Sequence, residues 1–274
     1  MDDARALWNA VAPAWDRNRA RLFEQTIAIS EWLIEQVRPG PDRTILETSA
    51  GAGETSFLAA SHGGTVLCTD FASGMVEVAR AEAERRGLTN VECRVMDAQR
   101  LELPDASVDG VMSRFGMMLV PDPRAAAAEA HRVLKPGAVF AYTVPAAPDR
   151  NPWAGLVGVA ALQCGHALPP GDPFGPGGMF SLASEEKNRT MVEQAGFTDV
   201  ATGTMSVPQR YEDFESYWRL RREASGMTQR LLAALEPDQI DAIHDTAEEL
   251  AAGFRRPDGT FEFPSESVRV RAVR

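Results

Sequence analysis

Short apolar runs alternate with helix-forming segments through the middle of the chain. The runs that predict β-strands lie at residues 44–47, 65–69, 91–95, 108–113 and 138–144. Between them, the sequence predicts a helix ending near residue 61 and two more at about 73–86 and 122–134. Consecutive strand–helix units predict a parallel sheet with helices on both faces.

Helix boundary signals support this division of the chain. Gly87 follows the second of these helices, where glycine is a common C-cap. Asp122 and Pro123 supply an N-cap and a proline at the first helical position of the third. Capping residues at the helix ends, as well as the apolar periodicity, therefore predict the alternation of strands and helices.

The N-terminal segment carries apolar residues at helical spacing, including Trp8 and Trp15, with a break expected at Pro13. The two tryptophans either pack on the body of the fold or form a flap over a ligand. A second helix is expected at about 23–37, ending before the Pro39-Gly40-Pro41 stretch.

The pattern changes after residue 144. A proline- and glycine-rich stretch follows, with one apolar helix expected after Asn151, and then a helix capped by Ser184. Two further strand-like runs lie at 199–204 and 205–211, and helices are expected from there to 254. The sequence thus predicts five segments. They are N-terminal helices that partly form a flap (1–43), a ligand-binding core (44–144), a substrate-cap insertion (145–183), the end of the sheet (184–211) and a C-terminal helical region (212–274).

Each of the first four predicted strands ends on a polar side chain. Glu47, Asp70, Asp97 and Ser113 occupy these ends. Ligands of open α/β sheets bind outside the carboxyl ends of the strands, so we expect these side chains to converge on one site. The small residues at 49–53 allow a sharp turn and a close approach of a ligand to the backbone.

The loop after the first strand disfavours a dinucleotide. A dinucleotide fingerprint would place a third glycine at position 56, where this chain has Ser56, and Glu47 is acidic at the strand tip. A P-loop lysine is also missing from this stretch. An acidic tip suits a ligand that carries positive charge, as the sulfonium and ammonium of S-adenosylmethionine do.

Four motifs carry a resemblance to a known family. They are I-L-E-T-S-A-G-A-G from residue 45, C-T-D-F-A-S-G-M from 68, M-D-A-Q-R-L-E-L-P-D-A-S-V-D-G-V from 96 and R-V-L-K-P-G-A from 132. Together they resemble the core of class I S-adenosylmethionine-dependent methyltransferases, most closely the branch of the ubiquinone/menaquinone C-methyltransferases. The resemblance implies a Rossmann-like α/β fold: a doubly wound, mostly parallel seven-stranded sheet with helical N- and C-terminal additions forming a cap.

The resemblance also implies cofactor-binding roles for individual residues. Glu47 would hold the methionine ammonium and Asp70 both ribose hydroxyls, while Asp97 would bond the adenine amino group. The other cofactor-binding residues expected from the family pattern are Ser49, Ala50, Gly51, Gly53, Phe71, Met75, Ala98, Ser113 and Arg114.

One position departs from the family pattern. Ser49 stands where the first glycine of G-x-G-x-G is usual, and we expect its backbone angle not to demand glycine. A modified cofactor pose is an open consequence.

Methyl transfer needs a general base only when the acceptor must lose a proton. His166, at the end of the apolar helix in the expected cap, is the candidate catalytic base, and a structural role is the alternative.

Charge and cysteine content restrict the partners. The net charge of -11 disfavours nucleic acid and anionic membrane surfaces. The three cysteines are scattered and lack metal-ligand spacing, so we expect no metal site and a reducing, cytoplasmic setting. We also expect no signal peptide at the start of the sequence.

The sequence predicts methylation of a small, fairly apolar metabolite at oxygen, nitrogen or carbon, in bacterial secondary or cofactor metabolism. S-Adenosyl-L-homocysteine would be the product form of the cofactor. A silent S-adenosylmethionine-binding scaffold or regulator and a nicotinamide-dependent oxidoreductase are the alternatives. The sequence does not define the oligomeric state.

Overall fold

The computed structural model describes the backbone of residues 2–274 and leaves Met1 outside the description. Nine strands occur in the described residues: Thr44–Glu47 (β1), Thr65–Asp70 (β2), Val91–Val95 (β3), Val108–Arg114 (β4), Leu134–Pro145 (β5), Thr198–Ser206 (β6), Gln209–Tyr211 (β7), Phe261–Phe263 (β8) and Glu266–Val273 (β9).

Eleven α-helices occur in the same residues: Asp2–Arg17 (α1), Arg19–Glu24 (α2), Ile27–Val37 (α3), Glu54–Ala60 (α4), Ser73–Arg85 (α5), Pro123–Val133 (α6), Pro152–Gln163 (α7), Glu185–Gln194 (α8), Phe214–Ala224 (α9), Gly226–Leu232 (α10) and Pro237–Ala251 (α11). The Asp122 side chain caps α6 by accepting hydrogen bonds from two backbone N–H groups, and the Ser184 side chain caps α8, as the sequence predicts.

Seven strands form one sheet in the order β3-β2-β1-β4-β5-β9-β6. Strands β1 to β5 are parallel to one another, whereas β9 runs antiparallel to both of its neighbours. The strand order reverses between β1 and β4, so a crevice opens there at the carboxyl ends of the strands. The predicted fold class, a mostly parallel seven-stranded α/β sheet, is confirmed.

Apolar side chains cover both faces of the sheet. On one face, Ile45 and Met112 pack in a cluster with the side chains of α3 and α4. On the opposite face, Leu46 and Phe140 pack in a larger cluster with those of α6 and α8. Adjacent residues of a strand therefore pack in different clusters, on opposite faces of the sheet. Because side chains alternate along a strand, every second residue of β1 and β4 faces α3.

A third apolar cluster lies outside the sheet. It is formed by α7, α9, α10, α11 and the two-stranded β7–β8 sheet, with Tyr217, Phe261 and Phe263 at its centre. We call this cluster the cap lobe. The predicted cap is thus built from the insertion after β5 together with the C-terminal helices, and Leu22 of α2 packs against it.

The C-terminal region is not entirely helical, contrary to the prediction for 212–274. Residues 261–263 and 266–273 are strands, and β9 supplies the seventh strand of the main sheet. The predicted run at 205–211 does not supply it, because β6 continues to Ser206 and β7 pairs with β8 in the separate sheet. Along the chain, the last strand of the main sheet is therefore β9, although β6 of the 184–211 segment is an edge strand.

The expected break at Pro13 is also wrong. Helix α1 continues through Pro13, although an internal proline costs a backbone hydrogen bond. Val11, Ala12 and Ala14 are buried, so packing of α1 on the domain outweighs that loss. Among the described residues, every helix is too short or too polar to cross a bilayer.

Candidate cofactor and acceptor site

The loop after β1 is built from left-handed backbone positions. The φ angles are 53° at Ser49, 56° at Gly51 and 88° at Gly53. The expectation that Ser49 does not need a glycine-like angle is therefore wrong, because this region costs a residue with a Cβ about 1–2 kcal/mol. Neighbouring strands hold the loop: the Ala50 N–H donates to the Thr69 carbonyl at 2.9 Å.

Asp70 lies at the carboxyl end of β2 and supports this loop directly. Its carboxylate accepts hydrogen bonds from the backbone N–H groups of Gly51, at 3.0 Å, and Ala72, at 2.9 Å. Burial raises the pKa of Asp70, and the two N–H donors oppose that shift. A carboxylate has about four lone-pair positions, so Asp70 retains acceptor capacity for ligand hydroxyls.

Glu47 lies at the end of β1, only 1% exposed. It accepts a hydrogen bond from the Ser56 hydroxyl at 2.6 Å, so the residue that replaces the third dinucleotide glycine serves to hold this acid. Burial raises the pKa of Glu47 to about 7, against the opposing effects of Ser56 and of the Arg114 charge. A cationic ligand group beside Glu47 would favour its ionised form.

Arg114 lies on the same sheet face as Glu47. Glu47 pairs with Met112 of β4, and Arg114 lies two residues further toward the carboxyl end. The Arg114 guanidinium donates to the Thr26 hydroxyl at the start of α3, but its Nε is buried without a partner among the described residues. Burial lowers the pKa of Arg114, whereas the Glu47 and Glu54 charges raise it.

The Ser113 hydroxyl, on the strand just before Arg114, donates to the Thr48 carbonyl at 3.0 Å. This bond ties β4 to the loop after β1. Ser113 therefore joins the site mainly as a support for the loop, through a side chain that is fully buried.

The predicted adenine-side residues follow β2 and β3. The Asp97 side chain accepts the Gln99 backbone N–H at 2.9 Å, which shapes the turn after β3, and Ala98 is buried beside it. Met75 is fully buried under α1, with the half-buried Phe71 packed against the same cluster. The structure thus brings Asp70, Asp97 and the β1 loop to one edge of the sheet.

Helices α1 and α2 cover the loop, in the place where the sequence allowed a flap. A Cβ on Gly51 would lie 3.9 Å from Cζ3 of Trp15. The Arg19 guanidinium donates to the Ala52 carbonyl and pairs with Glu54 at 2.9 Å. Sequence reasoning missed Arg19, because a single arginine in a polar helix carries no signal of a contact with a distant loop.

The structure places His166 just beyond the apolar helix α7. It follows the C-terminal end of α7, roughly 15 Å along that helix from Trp153 at a rise of about 1.5 Å per residue. Its ring has no hydrogen-bond partner among the described side chains, and its assignment as a base stays a prediction. The same residues contain no cluster of three or more His, Cys, Asp or Glu side chains able to hold a metal ion.

Two surface grooves of about 500 Å³ each lie outside the strand-end site. One runs between α1 and α5 and includes Asn9 and Glu82. The other lies beside β8 and includes Arg256 and Glu262. The lining of both grooves excludes Glu47, Asp70 and Arg114.

Residues 46–142 match the family model of a methyltransferase domain, in the segment that contains the four polar strand ends. This segment is a class I S-adenosylmethionine-dependent methyltransferase domain. The ubiquinone/menaquinone biosynthesis C-methyltransferase UbiE of Acidiphilium cryptum is 40% identical over 110 residues, which cover 39% of this chain and 44% of that protein. The nocamycin O-methyltransferase of Saccharothrix syringae is 35% identical over 152 residues, 54% of this chain and 53% of that protein.

The chain spans from 43% to 59% of the length of the curated relatives it matches. The similarity to a solved structure reaches further: the YcgJ protein from Bacillus subtilis has a TM-score of 0.62 and 20% identity, covering 89% of this chain and 97% of that one. At this identity the likeness concerns the fold alone. The similarity in fold therefore extends beyond residues 46–142.

Proposed function

We propose that this protein transfers a methyl group from S-adenosylmethionine to a small, fairly apolar metabolite, in cytoplasmic secondary or cofactor metabolism. The observation that carries the proposal is the convergence of Glu47, Asp70 and Arg114 on the carboxyl edge of three strands beside the β1 loop. An acid, a ribose-binding carboxylate and a buried cation in this arrangement match the chemical groups of the cofactor.

The methionine end of the cofactor carries an ammonium and a carboxylate. Glu47 would hold the ammonium and Arg114 the carboxylate, whose oxygens would accept a hydrogen bond from the unpartnered Nε. Asp70 would accept hydrogen bonds from both ribose hydroxyls while it keeps its two bonds to the loop. Asp97 and the Ala98 N–H would hold the adenine edge, bordered by Phe71 and Met75.

S-Adenosylmethionine supplies an electrophilic methyl group, so the chain's own residues mainly align the acceptor and exclude water. The α1–α2 cover and the cap lobe are suited to that exclusion, because α1 packs on Met75 beside the ligand edge and the cap lobe contacts α1 through Ala224. Relatives named for C-methylation and for O-methylation leave both acceptor atoms open. His166, which follows the C-terminal end of α7, is the candidate base for an acceptor that must lose a proton.

Calorimetry with S-adenosylhomocysteine and with NAD tests the cofactor. We expect the wild-type protein to bind S-adenosylhomocysteine and D70N to bind it at least tenfold more weakly, because hydrogen bonds to charged groups contribute about 1.5–3 kcal/mol. D42N, which alters an exposed acid outside the site, is the matched control. Binding of NAD without binding of S-adenosylhomocysteine would favour the oxidoreductase alternative.

Labelled methyl transfer tests the enzymatic step. Incubation of the protein and labelled cofactor with bacterial metabolite extracts, followed by mass spectrometry, should give a labelled product that D70N does not form. Cofactor binding without any methylated product would favour the silent scaffold.

A further inference from the structure

Four buried side-chain atoms lack a hydrogen-bond partner in the described part of the chain. They are Nε of Arg43, Nε of Arg114, Oγ1 of Thr143 and Nε of Arg221. Arg114 and Thr143 are neighbours in register at the carboxyl ends of β4 and β5. Because buried polar groups are nearly always hydrogen-bonded, unsatisfied groups at a ligand edge indicate polar atoms of a bound molecule.

Arg221 is the least satisfied of the arginines in this group. Its one hydrogen bond, from Nη2 to the Ala154 carbonyl, is 3.5 Å long. No carboxylate among the described side chains lies within ion-pair distance of it. A guanidinium has five N–H donors, so most of the hydrogen-bonding capacity of Arg221 is unused.

Trp153 fixes the orientation of Arg221. The guanidinium carbon lies 5.3 Å from the centroid of the Trp153 ring, a cation–π distance. The Trp153 carbonyl in turn accepts a hydrogen bond from the Tyr217 hydroxyl at 2.8 Å. The start of α7 and the last turn of α9 therefore hold a cation in place without neutralising it.

The helix that carries Arg221 also contacts the cover of the methyltransferase edge. One turn further along α9, the Ala224 carbonyl accepts a hydrogen bond from Trp15 Nε1 at 3.0 Å. The Trp15 ring lies against Gly51 in the β1 loop. The helix that carries Arg221 is thus linked to the cofactor loop through one tryptophan side chain, that of Trp15.

Trp153, on which Arg221 is stacked, belongs to the apolar cap-lobe cluster together with Leu22 and Leu156. A molecule bound there would place an apolar or aromatic body against these side chains and an anionic group against the guanidinium. The planar fork of arginine matches a carboxylate in two parallel hydrogen bonds.

We propose that Arg221, stacked on Trp153, binds a carboxylate of the methyl acceptor, so that the acceptor is a small, largely apolar carboxylic acid. This inference rests on the proposed function, because it places the acceptor beside the methyltransferase edge. Arg221 acts as a binding residue that fixes the acceptor's orientation; the atom that receives the methyl group is a separate question.

Pairs of acids and primary amides test the inference, because each pair has nearly the same shape and differs in charge. Benzoate, 2-naphthoate and decanoate, each with its amide, are titrated into the full-length protein with and without S-adenosylhomocysteine. We expect at least one acid to bind tenfold or more tightly than its amide. R221M should abolish the difference, R221K should retain part of it, and R219M, which alters an exposed arginine on the same helix, should retain it fully.

The result separates the two proposals. Equal binding of acid and amide in all three pairs, or an acid preference that survives in R221M, overturns the role of Arg221. Unchanged binding of S-adenosylhomocysteine by R221M shows that the variant is folded; if R221M fails to fold, the comparison of R221K with R219M decides. An acid preference that depends on Arg221 in a protein that does not bind S-adenosylhomocysteine would retain the acid site and reject the proposed function.

Discussion

Gly116 lies directly against Ser49: a Cβ on Gly116 would be 2.5 Å from the Ser49 Cβ and 2.5 Å from the Ser113 Oγ. The φ angle of Gly116 is -99°, which any residue can adopt. The requirement for glycine here is therefore one of space. The turn after β4 makes room for the serine that replaces the first glycine of the loop.

G116A should therefore lower the free energy of unfolding by about 1–3 kcal/mol through overpacking. Chemical denaturation measures it. G155A is the matched control, because a Cβ on Gly155 in α7 meets no atom within 4 Å. In the S49G/G116A double variant we expect partial recovery, since one of the two clashes is removed. Equal stabilities of G116A and G155A would contradict the contact.

The sequence predicts the parallel half of the fold well, because its signals are local. The alternation of strands and helices and the Asp122 cap each depend on a few adjacent residues. The seventh strand carries a local signal too, with Val268, Val270 and Ala272 alternating with arginines. Its insertion between β5 and β6 depends on long-range pairing that no pattern within the segment specifies.

The residues of the candidate site likewise divide into those that local signals predict and those that depend on long-range contacts. Glu47 and Asp70 follow from strand ends, whereas the contacts of Arg19 and Arg221 cross long stretches of chain. The backbone angle of Ser49 could not be inferred from residue type, because a serine in the left-handed region is uncommon and here depends on the small neighbour Gly116.

The raised pKa of Glu47 makes stability depend on pH. The native state retains its proton up to a pH of about 7, whereas the unfolded chain loses it near 4.5. The native state thus binds more protons in this window, and its stability falls as the pH rises from about 4.5 to 7. E47Q should remove this loss and stabilise the ligand-free protein at pH 8 by ~3 kcal/mol.

The same variant should bind S-adenosylhomocysteine more weakly, because the amide cannot offset the ligand ammonium. Denaturation at pH 5 and pH 8, with calorimetry at pH 8, measures both effects. E31Q, at an exposed position of α3, controls for the loss of one negative charge. A less stable E47Q at pH 8, or one with unchanged affinity, would show that Glu47 is not a strained ligand-binding acid.

His244 links α11 to α9 in the cap lobe. Its Nε2 lies 2.5 Å from a Glu215 oxygen and its Nδ1 3.1 Å from an Asp245 oxygen. Burial lowers the pKa of His244, but hydrogen bonds to Asp245 and Glu215 outweigh it and the pKa is raised. The resulting stabilisation is present below a pH of about 6.5 and is lost as the pH rises through the folded-state pKa.

H244Q should therefore lower the melting temperature more at pH 5.5 than at pH 8.5. Thermal melts at the two pH values measure the difference. H62Q, at an exposed histidine, should show no such dependence. A loss of stability that is equal at both pH values would assign His244 a packing role against Phe214 and Trp218 instead.

Trp15 connects the cofactor loop to the cap lobe, since its ring lies against Gly51 and its Nε1 donates to Ala224. Binding of S-adenosylhomocysteine should change the environment of this ring, and with it the tryptophan fluorescence of the protein. W15F should lose most of that change, whereas W32F, which alters a tryptophan near Arg269, should keep it. An equal response in W15F and W32F, measured at matched ligand saturation, would place the cofactor away from the α1 cover. A response lost only in W15F would show that the cofactor binds beside Trp15, under the α1 cover.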